Sequence, residues 1–516
     1  MLTRRGFLQL SGAAGFSLLL NGCSAKSLPL SAIDPDESRL RDMPFLGLAE
    51  SLTEEYDYEA VVEGKVPDGL RGVLYRNGPA LFDRGGLRKR AIQDGDGMVQ
   101  AFFFHDKGVR FRNKFVRTEK YVEESAAGRF LYPSWSTQAP GGFWANFWAG
   151  DKMKSQAAVN VFLRNGRLIA FDESNLPYEL DPVTLETKGS TTLGLPEGTV
   201  VYSAHPKIDP RNGEWLHFGL HYGRRATLHI TVFDRKGALI RHQKVPLPRY
   251  VYFHDFFVSG RHLIFHLHPV KIDLPDFLLG RRSLAESLRW KPEEGDLLLV
   301  ADRYGAAEPV SLAVAPSFMW HSINAYEQNN EIIADFIGYE TPDHFIGPDP
   351  VIFAVMAGRR GRNTSKGELR RYVISLPEKK VRQEIIGKGG YEWPVINEAY
   401  RCGRYRIGYC AKSRGDDFFW SGITRFDAST YGSETCFFEE GLYCGEPVFA
   451  GRPDFRYSPD ASRERGWLLT EVYDSHTRKS FLSIFSAEDV SGGPVANVYL
   501  QHHVPFSYHG HWYGGS

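Results

Sequence analysis

Beyond residue 60 the chain reads strand, turn, strand almost without pause, and this pattern restricts the fold more than any other feature. In VNVFLRNGRLIAFDE, Asn165-Gly166 stands between two apolar runs, the strongest short-range signal of a β-hairpin. Asn212-Gly213, Lys236-Gly237 and Ser259-Gly260 punctuate further strand pairs. MVQAFFFHDKGVRFRNKFVRT, RYVISLPEKKVRQEII and GWLLTEVYDSHTRKSFLSIFS read the same way. Helical periodicity is confined to Leu284 to Trp290 and parts of 118–127. The 52 glycines and 29 prolines therefore mark turns rather than disorder. No Pro/Ser-rich linker divides the chain, so residues 26–516 are expected to form a single all-β domain. No sequence repeat sets a blade number. A propeller suits the pattern better than a sandwich, because its inner strands converge on a central channel.

Convergence matters because of the histidines. The chain has 17, and any one of them is more often structural than a ligand; His217, His221, His262, His266, His268, His502 and His503 are plausible structural residues. Four others stand in strand-like settings: His205 in SAHPKIDP, His254 in FHDFFVS, His321 in WHSINAYE and His509 in PFSYHGHW. They are separated by 49, 67 and 188 residues, which no local metal-binding spacing covers. They can share a metal only if the fold brings four segments to one axis. Imidazole serves iron, zinc, copper and nickel, so the residues alone do not name the ion.

Composition excludes some functions. With 62 basic and 62 acidic residues the formal net charge is zero, and no basic stripe marks a nucleic-acid partner. Hydrophobic residues at 42% and aromatics at 14% are enough for a large core and an aromatic-lined cavity. HPKIDP suggests a His-Asp pair, but no Gly-x-Ser-x-Gly elbow accompanies it, so hydrolase chemistry is set aside. Asp94 and Asp96 in DGDGMV lack calcium-loop spacing and a P-loop lysine, and are expected to form a tight turn at the mouth of a blade. Five cysteines include no Cys-x-x-Cys pair. Cys436 and Cys444 flank CFFEEGLYC and could bridge a hairpin, as could Cys402 and Cys410; the other reading is buried free thiols.

Residues 1–25 read as a targeting segment. Thr3-Arg4-Arg5-Gly6-Phe7-Leu8 resembles the twin-arginine export signature, and the apolar stretch after it, Phe7 to Leu20, is short for a bilayer span. Leu20-Asn21-Gly22-Cys23 resembles a lipoprotein cleavage site, with cleavage after Ala25 as the alternative. A periplasmic protein, lipid-anchored at Cys23 or free, is expected.

Six motifs occur in order: YRNGPA (75–80), DGDGMV (94–99), SAHPKIDP (203–210), FHDFFVS (253–259), HSINAYE (321–327) and PFSYHG (505–510). Each is weak alone, but the ordered set, from about Leu46 to His511, closely resembles the carotenoid cleavage oxygenase family, including its stilbene-cleaving and retinoid-isomerising branches. The resemblance implies a seven-bladed β-propeller, capped by loops and short helices, with one ferrous iron on its axis. Position by position it makes His205, His254, His321 and His509 the iron ligands, and Glu173, Glu392 and Glu446 the carboxylates that hold ligand imidazoles. His511 is the near neighbour on the same side of an extended strand, and the resemblance prefers His509 because Gly510 follows it.

The implied reaction is oxidative cleavage of a conjugated carbon–carbon double bond by dioxygen into two carbonyl products, with a carotenoid or apocarotenoid as first choice. The alternatives are a stilbene dioxygenase, a non-oxidative polyene isomerase and a metal-free binding propeller. Stilbene cleavers anchor a phenol with a tyrosine and a lysine; Lys120 stands where that lysine would be, and no tyrosine matches. In the family the region corresponding to Ile272–Trp290 forms an apolar mouth that touches membranes. Here Arg281 to Arg289 reads as an interfacial helix with basic flanks, or as an ordinary amphipathic helix over a blade.

Overall fold

The computed structural model describes residues 28–29, 42–149, 153–173, 175–196, 202–222, 225–453 and 464–515. Residues 1–25, with Cys23, lie outside them. The turn signals act as expected. Asn165 and Gly166 take φ of 51° and 73°, the left-handed conformation of a two-residue hairpin turn, and place Arg164 opposite Arg167.

Repetition of such hairpins builds a seven-bladed propeller of antiparallel sheets. The strand nearest the axis in each blade is, in chain order, β1 (Asn160–Arg164), β2 (Lys207–Ile208), β3 (Phe256–Val258), β4 (Phe318–Gln328), β5 (Tyr391–Ile396), β6 (Val448–Gly451) and β7 (Gly510–Gly514). The blades of β1 to β4 are four-stranded meanders, and those of β5 and β6 share one ten-stranded sheet. Both ends of the chain close the ring. β7 pairs with Gly72–Leu81, placing Gly510 opposite Arg76, while Val61–Gly64 adds the outermost strand of the β6 blade beside Asp489–Tyr499. Radial closure of this kind leaves only the outer edge of each blade exposed.

Aromatic side chains fill the gaps between blades. Phe218, Phe253, Phe256 and Phe265 are buried and stack with centroids 4.9–5.9 Å apart, each contributing about 1.5–3 kcal/mol through burial. The YRNGPA motif earns its place in the same packing. Fully buried Arg76 donates to Glu471 (2.8 Å), Ser507 Oγ (3.1 Å) and the carbonyls of Glu446 and Tyr508, while the Asn77 amide donates to the His509 carbonyl.

One expectation is corrected, and one alternative is decided. Helix α1 (Glu119–Ala127) forms, capped by Thr118 and ended by Gly128 at φ 63°, but the second helix does not. Residues 285–287 make a single 3₁₀ turn, and Leu288–Trp290 is a strand paired with Val270–Ile272. Ser283 donates to Glu286 and Ser287 donates to the Ser283 carbonyl, spending the side chains on a turn. Leu288 is buried while Arg289 turns to solvent-side acids, the two-residue period of a strand. Of the two readings of the cysteines, the structure has the free thiols: Cys402, Cys410, Cys436 and Cys444 are all unbridged. Cys436 lies opposite Ile423 and Cys444 opposite Trp420, different rungs of one strand, so the two do not face each other. Burial pushes the Cys402 thiol up to about 12.

Candidate metal centre and its two cavities

Each candidate histidine stands where its chain reaches the axis. His205, His254 and His509 lie just before β2, β3 and β7, and His321 lies within β4 at a break in strand register between Met319 and Ser322. All four are buried, and one ring nitrogen from each lies within 4.8 Å of the others. The Nε2 atoms of His205 and His254 are 2.7 Å apart.

The remaining blades supply carboxylates. Glu392 is on β5, Glu446 just before β6, and Glu173 follows the second strand of the β1 blade. His254, His321 and His509 each donate through Nδ1 to Glu173 (2.9 Å), Glu392 (2.8 Å) and Glu446 (2.8 Å) respectively. A neutral imidazole that donates from Nδ1 presents a bare lone pair at Nε2, so these carboxylates set both tautomer and aim. His321 Nε2 is buried with no hydrogen-bond partner. Burial, together with the facing histidines, holds His205 and His509 far below the ordinary imidazole range, so both stay neutral. Burial raises Glu173 and Glu446, opposed by His254 and by Arg76 respectively. Lone pairs converging in a dry space repel one another unless a cation lies between them, and four neutral imidazoles fit a divalent transition metal.

The glutamates are themselves held. Tyr339 donates to Glu392, Tyr252 to Glu173 (3.3 Å) and the Gly510 amide to Glu446 (2.8 Å). Sequence reasoning missed these tyrosines and a clamp between two ligand strands. Asp255, which follows His254, accepts from the amide (2.8 Å) and hydroxyl (2.7 Å) of Ser322, which follows His321. The available signal was a polar residue placed directly after each histidine in an otherwise apolar strand. Trp393, after Glu392, is held at φ 58°, a strained conformation of the kind that clusters at functional sites, and packs tilted on His321 and edge-on to His509.

Two cavities meet at the histidines. One, about 130 Å³, is walled by aromatics including Trp135, Tyr252, Trp320, Phe345, Trp393 and Phe418, and reaches His254, His321 and His509. The other, about 330 Å³, lies on the β2, β5 and β7 side, carries the charged side chains Lys207, Asp255, Glu398, Arg401 and Glu446 among prolines and apolar residues, and reaches His205, His321 and His509.

Other sequence candidates sit elsewhere. His511 bonds Asn160 Oδ1 (3.2 Å), lies over Phe162 and is outside the four-histidine group. Lys120 is fully buried, tied to Asp96 (2.6 Å) and Glu124 (3.1 Å), and lines neither cavity. Of the tight turn expected at Asp94 and Asp96, only Asp94 is in one: it ends a 3₁₀ turn and accepts from Thr137 Oγ1 (2.5 Å) and the Ser136 amide, while Asp96 begins the strand Asp96–His105. In 272–290 Leu278 is buried, and the arginines are spent on local acids: Arg281 and Arg282 on Asp276, Arg289 on Asp273. The exposed apolar surface lies next to it, on helix α2 (Gly142–Ala149), where Trp144 is 50% and Trp148 73% exposed. Among the described residues no helix is long and apolar enough to cross a membrane.

Comparison with known proteins agrees with this geometry. The chain is 31% identical over 476 residues to apocarotenoid-15,15'-oxygenase of Synechocystis sp., covering 90% of this chain and 94% of that one. It is 26% identical to isoeugenol monooxygenase of Pseudomonas nitroreducens, covering 88% and 94%. Cobalt-substituted Synechocystis apocarotenoid oxygenase superposes with a TM-score of 0.83 at 30% identity, covering 91% of this chain and 98% of that one. The retinal pigment epithelial membrane protein (RPE65) model matches residues 49–514; the chain belongs to that family, the carotenoid cleavage oxygenases, and is an oxygenase of the carotenoid-cleavage type.

Proposed function

We propose that the protein is a non-haem iron(II) dioxygenase that cleaves a conjugated double bond of a carotenoid or apocarotenoid into two carbonyl products. The observation that carries this reading is the meeting of four inward-facing imidazoles with an aromatic-walled cavity. His205, His254, His321 and His509 would hold the iron, with Glu173, Glu392 and Glu446 fixing three of the rings. Iron(II) bound there supplies the dioxygen chemistry. The protein's part is orientation and dryness. Trp320 and Trp393 pack directly on ligand rings, with centroids 5.1 and 4.9 Å away, so a flat polyene lying against them is positioned beside the centre and shielded from water.

A phenolic stilbene is the weaker reading, because Lys120 is already bonded to two carboxylates and does not reach the cavity. Exposed Trp144 and Trp148, on the helix packed against Gly280, support peripheral contact of this part of the surface with a membrane. The reading also includes export through residues 1–25, which cell fractionation of an Arg4→Lys/Arg5→Lys variant tests by loss of the periplasmic pool. For the membrane contact, Trp144→Ser/Trp148→Ser should abolish flotation with liposomes, and unchanged flotation counts against it.

The deciding experiment is mass spectrometry of products from iron-loaded protein given an apocarotenal, a carotene or a hydroxystilbene under oxygen. Paired carbonyl fragments from a polyene are expected. Fragments from the hydroxystilbene alone would move the substrate to phenols, and a rearranged, oxygen-independent product would indicate isomerisation.

A further inference from the structure

We infer that the charged cavity behind the four histidines is the path by which the metal ion reaches and leaves its site, separate from the aromatic cavity through which substrate comes. The inference rests on the metal-centre reading above. The two cavities share His321 and His509, but His205 opens only to the charged side and His254 only to the aromatic side. A site reached from two sides has two routes of access, and the physics of the travellers differs. A divalent ion carries its water with it, and stripping that water against tryptophan and phenylalanine walls is costly. A polyene has the opposite preference.

The charged cavity is built as a graded polar path. At its outer end Glu398 keeps 53% of its side chain exposed and pairs with Arg401 at 2.5 Å. At its inner end Asp255, 1% exposed, pairs with Lys207 at 2.8 Å and also holds Ser322 beside His321. Glu446, bonded to His509, lies at the same inner end. Every cation in this wall is neutralised by an acid within hydrogen-bonding distance, so an entering ion meets oxygen ligands without an uncompensated positive barrier. About 330 Å³ leaves room for an ion with several waters, each water needing about 10–15 Å³. The carboxylates that reach the aromatic cavity offer no comparable path. Glu392 and Asp172 are buried, the Glu173 side chain is 9% exposed, and none of them stands exposed at an outer end as Glu398 does.

The test follows cobalt(II) binding to metal-free full-length protein by stopped-flow absorbance, and release to a chelator, with no substrate present. Ala399→Trp narrows the charged path, Glu398→Gln leaves Arg401 unpaired within it, and Ile352→Trp narrows the aromatic cavity. Ala399→Trp is expected to slow uptake and release together by an order of magnitude, leaving equilibrium affinity unchanged. Glu398→Gln should slow uptake about three- to tenfold at low salt, an effect that shrinks as salt rises. Ile352→Trp should leave both rates within twofold of wild type, a margin set by ordinary side-chain relaxation. Slowing by Ile352→Trp with wild-type rates in the other two would overturn the path while leaving the metal centre intact. Failure of the wild-type protein to bind one cobalt per chain would remove the metal reading itself.

Discussion

The molecule contains two buried clusters of similar composition, and they are built to opposite ends. One is His205, His254, His321 and His509; the other is His266, His268 and Asp296, all three fully buried and also within 4.8 Å of one another. In the first, three Nδ1 atoms are committed to glutamates, which turns the Nε2 lone pairs toward one point where two cavities meet. In the second, burial holds His268 down to about 3, so its neutral ring has one N–H to donate, to the backbone carbonyl of Ser317 (3.1 Å) or of Met319 (3.2 Å), and His266 Nε2 faces Asp296. His266 Nδ1 has no partner, and the cluster opens into neither cavity. The two clusters differ in how their rings are held: in the first, three of the four rings are anchored at Nδ1 by glutamates, and in the second no ring is anchored by a glutamate. The second cluster instead pins the start of β4, two residues before His321.

The sharpest way to break the contrast is to remove one member from each side. His321→Ala should abolish both bound metal, read by elemental analysis, and oxygen-dependent product; metal retained at one ion per chain would place the ligand set elsewhere. Glu392→Gln keeps the ring but weakens its anchor, and should cost about 10–100-fold in metal affinity by competition with a chelator. An unchanged affinity would mean that Tyr339 and the backbone hold His321 without it.

His268→Ala should keep one metal per chain yet lower the urea-unfolding stability of the metal-free protein, since a buried carbonyl left unpaired costs about 1–3 kcal/mol. Loss of metal without loss of stability would reverse the roles assigned to the clusters. The smallest effect concerns pH. Burial pushes the Asp296 carboxyl up to about 7. Between its unfolded value, about 4, and that level the unfolded chain has given up the proton while the folded chain keeps it, so stability falls as pH rises across the window. Asp296→Asn cannot ionise, and its stability relative to wild type should rise from pH 4 to 7 and then level off; a flat difference would mean that Asp296 is already charged at the bottom of the range.

Much of this was legible in the chain. The hairpin at Asn165-Gly166 lies where the turn residues put it, because positive φ at a two-residue loop is a local requirement that only a few residue types meet, and Gly237 takes φ 85° in the longer loop between Phe233 and Leu239. The four histidines and three glutamates were readable only through the ordered motifs, since nothing in the neighbourhood of His205 distinguishes it from His217. That distinction is a matter of surroundings: His217 is caged by Trp215, Phe171 and Tyr202, whereas His205 packs on the rings of His254, His321 and His509. The helix expected near Leu284 failed for a related reason, because strand pairing with Val270–Ile272 is a long-range contact that outweighs a short helical pattern.

By itself the sequence determined the all-β class, the positions of the turns and the residue types available to a metal, because these depend on local φ preference, side-chain alternation and donor chemistry. Only the tertiary structure decided which histidines meet, which carboxylate anchors each ring, and that Lys120 is spent on Asp96 and Glu124 away from the cavity. Closure of the ring by strands from both chain ends sets those distances, and a contact between residues hundreds of positions apart is a property of the closed ring that no local segment carries.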